Sequence, residues 1–279
     1  MACPVIDFHI HMIWCTASTK SFDELMDISF PDRTGYEEAR QRYADPAQFV
    51  ALLKESGVDY GVILSEYAPL ATGYTLNETV AEFCENHDEL IPFCSINPYL
   101  HPRPGDLLKE LCRNHGFRGL KLLPTYNYFY PNEPLLYPLY AAAQELGIPV
   151  LAHTGSSILH NARIKYGNPL FFDDVAVDFP DLTIVMAHGG RGMWYDEAMT
   201  MVRLHKNVHI DLTGLPVRKV PGFFPDIDRF SDKFLFGTDW PQVKHAETIA
   251  KYSAIGLSEE SRLKILGGNA ARILGIETP

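Results

Sequence analysis

Several signals that would place a protein at once are missing from this sequence. It has no run of about 18 consecutive apolar residues, which excludes a helix spanning a bilayer. Cysteine is scarce. Cys3, Cys15, Cys84, Cys94 and Cys112 make an odd count of five with no C-x-x-C pair, so a disulfide framework is not expected and a reducing compartment is. The N-terminus lacks a charged stretch followed by an apolar one; no signal peptide is expected, and the expected location is cytoplasmic. No G-x-G-x-x-G follows a strand-like run, and neither Gly189-Gly190 nor Gly267-Gly268 has that spacing. That speaks against dinucleotide binding. Basic residues are outnumbered: 24 Lys and Arg against 35 Asp and Glu give a formal net charge of −11. Such a balance argues against a nucleic-acid or anionic-membrane surface. A small-molecule substrate is the expected partner.

What is present is a repeat. A helix-like stretch ends in glycine and a short, β-rich, non-alternating run follows. Gly57, Gly116 and Gly147 each stand at such a junction, where a helix C-terminus needs positive φ. Eight apolar runs can be placed, at residues 5–10, 60–64, 91–95, 119–122, 149–153, 183–187, 208–212 and 234–237. From the second onward they recur at about the length of one βα unit, the mark of a parallel sheet. Eight units in 279 residues predict an α/β fold, a single (β/α)8 TIM barrel over residues 1–279, with a long loop after strand 1.

That long segment, residues 12–45, holds Trp14, Phe22, Phe30, Tyr36 and Tyr43. A second aromatic cluster, Tyr126, Tyr128, Phe129 and Tyr130, follows strand 4. Both come after strand C-termini, on the catalytic face of a barrel. Their aromatics either cover a substrate or pack the loops onto the rim.

Ligand-type residues recur at the same strand ends. Strand 1 ends in His9-Ile10-His11, strand 5 in His153, strand 6 in His188-Gly189-Gly190, and strand 8 in Thr238-Asp239-Trp240-Pro241. Strand alternation puts His9 and His11 on one side, with Phe8 and Ile10 opposite. Each feature alone has a plain structural reading, but four at one end of an eight-unit pattern converge on one mouth. Three histidines and an aspartate suit a borderline divalent cation such as Zn²⁺. The other histidines, His87, His101, His115, His160, His205, His209 and His245, read as surface or local structural residues.

The segment Asp7-Phe8-His9-Ile10-His11 resembles the strand-1 metal motif of the amidohydrolase superfamily. More narrowly, the chain resembles the amidohydrolase-related family that includes aminocarboxymuconate-semialdehyde decarboxylase and resorcylate decarboxylases. Gly119-Leu-Lys-Leu-Leu-Pro124, His153-Thr-Gly155, Ala187-His-Gly-Gly190, Phe236-Gly-Thr-Asp-Trp-Pro241 and Gly267-Gly-Asn-Ala-Ala-Arg-Ile-Leu-Gly275 carry the likeness to the C-terminus. The resemblance implies His9, His11, His153 and Asp239 as metal ligands. It implies His188 and Asp239 as the catalytic acid/base groups, with His188 beside the cation rather than on it. It also implies one divalent metal, most readily zinc, and a homodimer. Some branches of the superfamily bridge two metals with a carboxylated strand-4 lysine. Lys121 is expected instead to be a plain cation facing substrate, with Glu66 and Tyr126 as further substrate-facing residues. Asn97-Pro98 and Arg191 are additional lining candidates. The compact chain points to metal-dependent hydrolysis of an amide, lactone or related carbonyl. The alternative is non-oxidative decarboxylation of a small unsaturated or aromatic acid, since one such site serves both chemistries.

Overall fold

The computed structural model describes residues 3–277; Met1, Ala2, Thr278 and Pro279, at the ends of the expected domain, lie outside the described residues. Strands β1 (Ile6–His11), β2 (Tyr60–Leu64), β3 (Leu90–Ser95), β4 (Leu120–Leu122), β5 (Val150–Gly155), β6 (Ile184–Arg191), β7 (Val208–Asp211) and β8 (Phe234–Leu235) lie side by side in chain order. Every neighbouring pair is parallel. The segment after β8 closes onto β1. Phe8 N–H donates to the Phe236 carbonyl (2.9 Å), His11 N–H to the Trp240 carbonyl (2.9 Å) and Asp239 N–H to the His9 carbonyl (3.0 Å). The TIM barrel is therefore as expected, with each strand overlapping its predicted run. Gly116 (φ 70°) and Gly147 (φ 66°) end the helices Pro104–His115 and Tyr137–Leu146 in the left-handed region, a conformation nearly free of cost only for glycine. Among the described residues no helix is long and apolar enough to cross a membrane, and all five cysteines are free thiols.

The segment after β1 has structure of its own. Ala17–Ser18 pairs antiparallel with Gly73–Thr75, which pairs with Glu66–Ala68, and the helices Lys20–Ser29 and Arg33–Tyr43 follow. Its aromatics mostly pack. Trp14 meets Phe83 edge-on (5.3 Å), Phe30 stacks on Tyr36 (4.7 Å) and Tyr43 abuts Trp240 (5.9 Å). Of those five, Phe22 alone reaches the central cavity, and in the strand-4 cluster Tyr126 alone does. Packing is thus the main role of both clusters.

Two apolar layers build the barrel. An outer one lies between strands and helices. An inner one joins Ile6, Phe8, Val62, Phe93, Val185 and Leu235 to Ala270, Ala271 and Leu274, so the C-terminal helix Asn269–Leu274 closes the floor. The buried Asn269 amide pins that helix by donating to the Ser231 (2.7 Å) and Phe234 (2.8 Å) carbonyls.

Strict alternation fails in β1. Its register against β2 slips between Asp7 and Ile10, a bulge that re-aims side chains. Phe8 joins the inner layer, edge-on to Phe93 at 5.5 Å, whereas Ile10 belongs to the outer one. The expectation that Phe8 and Ile10 share a side is corrected; His9 and His11 still both line the cavity.

Candidate active site

The cavity lies at the C-terminal ends of the strands and has a volume of about 330 Å³. His9 and His11 reach it from β1, Lys121 from β4, His153 from β5, His188 and Arg191 from β6, and Asp239 from the turn after β8. Glu66 and Tyr126 also line it.

Each β1 imidazole is held by a carboxylate on one nitrogen and aimed inward with the other. His9 Nδ1 lies 2.6 Å from Asp211 Oδ2, and His11 Nδ1 lies 3.2 Å from Glu66 Oε2. Both Nε2 atoms therefore turn to one point: they are 3.2 Å apart, and Asp239 Oδ1 is 3.2 Å from His11 Nε2 and 3.6 Å from His9 Nε2. A carboxylate on Nδ1 fixes the tautomer that leaves the Nε2 lone pair for a metal. Ligand atoms of His9, His11 and Asp239 all lie within 4.8 Å of one another. His153 stands outside that tight group, its ring 4.7 Å from His188 and 4.8 Å from Tyr126. Its Nε2 is nonetheless buried without a hydrogen-bond partner, a condition native structures rarely leave unexplained. Imidazole and carboxylate donors with an orphaned ring nitrogen beside them fit a divalent cation.

The protonation states follow from burial and neighbours. Burial pushes the His9, His153 and His188 imidazoles well below their usual range, helped by nearby Lys121, His188 and Arg191 in turn. Burial would also lower His11, but bonds to Asp239 and Glu66 outweigh it and raise it to about 9, so without metal the ring carries a proton on Nε2 that a bound cation would displace. Burial opposes ionisation of Asp239, yet His11 holds its carboxyl well below the usual range. Burial brings Lys121 down to about 8 and lifts Asp211 to about 7. His188 Nδ1 pairs with the Thr213 carbonyl at 2.8 Å. It donates there, so the neutral ring keeps its lone pair on Nε2.

Lys121 is almost fully buried, with Nζ 3.0 Å from His9 Nε2. Glu66, besides His11, accepts from the Thr72 hydroxyl at 2.6 Å. The Tyr126 hydroxyl donates to Ser157 Oγ at 3.0 Å.

Local backbone geometry supports these placements. His188 and Asp239 both have φ of 64°, a left-handed conformation costing about 1–3 kcal/mol for a residue with a side chain and concentrated at functional sites. Asp7 holds the β8 turn in place: it accepts from the Thr238 hydroxyl (2.6 Å), Thr238 N–H (3.1 Å) and His9 N–H (3.0 Å). At Gly237 any Cβ would come within 2.8 Å of Asp211 Oδ1 and 2.9 Å of His9 Cβ. Asp7 and Asp211 were not singled out in the sequence. Asp211 at the end of β7 is the same type of signal as Asp239 after β8. Of the histidines read as surface or local structural residues, His209 and His245 are buried, which excludes the surface reading for these two. His209 faces inward on β7, and His245 lies 3.2 Å from Asp7 Oδ2.

A closed parallel barrel with a cluster of histidines and an aspartate at its C-terminal mouth defines a TIM-barrel protein with a candidate divalent-metal centre. The family model described as amidohydrolase matches residues 6–276, and the chain belongs to that family. It is 24% identical over 188 residues to the gamma-resorcylate decarboxylase of Rhodococcus jostii (strain RHA1), covering 53% of this chain. The match spans 56% of that relative's length. Among solved structures, an uncharacterised TIM-barrel protein from Bordetella bronchiseptica superposes with a TM-score of 0.80 at 24% identity, covering 98% of both chains. A dihydroxybenzoic acid decarboxylase from Polaromonas sp. JS666, with bound manganese and the inhibitor 2-nitroresorcinol, gives a TM-score of 0.70 at 20% identity, covering 100% of this chain and 98% of its own.

These relatives overturn the expectation of hydrolysis. That expectation leaned on chain length, with decarboxylases taken to be longer. The Rhodococcus relative and the Polaromonas structure are both decarboxylases, and the length of a chain does not decide which bond its site breaks. The ligand set itself is common to both chemistries.

Proposed function

We propose that this protein is a metal-dependent decarboxylase of a small hydroxylated aromatic acid. The observation that carries this is the cavity itself. Its roughly 330 Å³ suits one ring, and its lining combines apolar Phe22, Leu25, Met26 and Leu159 with polar His9, His11, His188, Lys121 and Arg191. The named decarboxylase relatives act on acids of that size.

His9, His11 and Asp239 would hold the cation, with His153 as fourth ligand; the buried, unpartnered His153 Nε2 supports that addition. Once bound, the cation would supply positive charge that orients the acid and polarises its oxygens. We propose a single ion, since the described residues contain one such ligand group. Imidazole and carboxylate donors accept both zinc and the manganese carried by the Polaromonas relative.

The remaining chemistry is proton transfer. His188, neutral at rest, presents Nε2 as a base. It takes the proton of a ring hydroxyl and returns it to the ring carbon that bears the carboxylate. The C–C bond to the carboxylate then breaks, its electron pair restores the aromatic ring as a phenolate, and CO₂ leaves. A proton from solvent regenerates the phenol. Glu66 orients His11, Lys121 sets positive charge beside His9, and Tyr126 contacts the ring.

Incubating the manganese- or zinc-loaded protein with hydroxybenzoates in D₂O tests the proposal. The expected result is CO₂ release with one deuterium at the vacated ring position. Absence of CO₂ release from every acid in the series would overturn it.

A further inference from the structure

We infer that Arg191 binds the substrate carboxylate; this rests on the acid substrate proposed above. Arg191 is the last residue of β6. Its backbone pairs with Gly155 at the end of β5 and accepts the Ser156 N–H at 2.8 Å, so the base of the side chain is fixed. Its guanidinium makes one bond, from Nη2 to the Ser156 carbonyl at 3.2 Å. Nη1 stands over Gly214, where any Cβ would come within 2.6 Å; the glycine makes room for the head group.

Arg33, Arg40, Arg103, Arg203 and Arg262 each have a carboxylate partner, while Arg42 and Arg163 lie over the Tyr43 and Tyr128 rings. Among the described residues, no Asp or Glu oxygen lies within 4.0 Å of Arg191. A partly buried guanidinium has five donors in a planar fork that matches a carboxylate. Leaving most of them unmatched is unfavourable unless a ligand supplies the anion. The cavity's other basic side chain, Lys121, is almost fully buried beside the His9 ring, whereas Arg191 is only partly buried. Arg191 lines the same cavity as Phe22, Leu25 and Leu159. An acid would lie with its carboxylate on Arg191 and its ring against those apolar side chains.

The test compares 2,6-dihydroxybenzoate with resorcinol, the same ring without the carboxylate. Ligand-observed NMR titration of the zinc-loaded protein, repeated after chelation, separates the metal's share of binding. Wild type is expected to hold the acid more tightly than resorcinol. Arg191→Gln is expected to weaken the acid about ten- to hundredfold, the range for a charge-assisted bond, and to leave resorcinol unchanged. Arg191→Lys should recover part of the loss, keeping the charge without the fork. Equal weakening of both ligands, unchanged acid binding, or a wild type without preference for the acid would each overturn the assignment. An Arg191-dependent preference without CO₂ release would uphold this carboxylate site while sinking the decarboxylase reading.

Discussion

At the floor of the barrel, Ala270, Ala271 and Leu274 close on Ile6, Phe8 and Leu235, and the helix that carries them is pinned by the Asn269 amide. At the mouth, the same strands end in buried imidazoles, a buried lysine and carboxylates, with His188 and Asp239 held at φ 64°. The floor buries apolar surface, with the one polar side chain that pins it satisfied. The mouth is strained and leaves His153 Nε2 without a partner. Because β1 and β8 run from one end to the other, the packed floor holds the geometry that the mouth could not maintain alone. Substitutions at the two ends should therefore separate function from stability.

The largest effect is expected at the mouth. Asp239→Ala should abolish both metal content, read by elemental analysis, and turnover. His188→Ala should lower turnover by about 10²–10⁴-fold while metal is retained. Loss of metal from His188→Ala would place that imidazole on the cation and break the division of roles.

At the floor, Leu274→Ala should cost about 2–5 kcal/mol in denaturant unfolding, the usual range for a buried leucine, with metal content and turnover intact. A parallel loss of turnover in the folded variant would show that the two ends are not separable.

Between these sits the carboxylate that orients His9. Asp211→Asn should weaken metal affinity about 10–100-fold in chelator competition, or about 1.4–2.7 kcal/mol. An unchanged affinity would mean that the 2.6 Å contact to His9 does not tune the site.

How far the sequence reveals this division depends on the range of the interaction. Apolar runs and the glycines that follow helices are local signals, and they place all eight strands. His9, His11, His188 and Asp239 also stand out because ligand-type residues at strand ends are visible one strand at a time. The slip in β1 is not visible, since the apolar character of Phe8 and Ile10 is the same whether each faces inward or outward. Asp211 escapes notice for another reason. It carries the same strand-end signal as Asp239, but its role is to pair with His9, 202 positions away, and nothing local marks that pairing. The long segment after β1 reads as a loop because its strand has two residues and its helices Lys20–Ser29 and Arg33–Tyr43 each bury a single side chain, Met26 and Tyr36, leaving little apolar period to read.

One residue blurs the contrast and yields the smallest expected effect. His209 pairs in register with Val185 on the inner face and is 3% exposed, and neither ring nitrogen makes a well-aligned hydrogen bond. Burial, with Lys233 and Arg272 nearby, lowers it to about 3. A depressed histidine binds its proton more readily in the unfolded chain. Its contribution is therefore neutral above the unfolded value near 6.5, and stability is lost progressively as pH falls from there towards 3. Between pH 7 and pH 6 this amounts to about 0.7 kcal/mol. Urea unfolding of the chelated protein should show that extra loss in wild type and not in His209→Gln, the histidines of the mouth being common to both. Equal slopes would mean that the floor takes up the proton without cost, and that its polar member is as adaptable as those at the mouth.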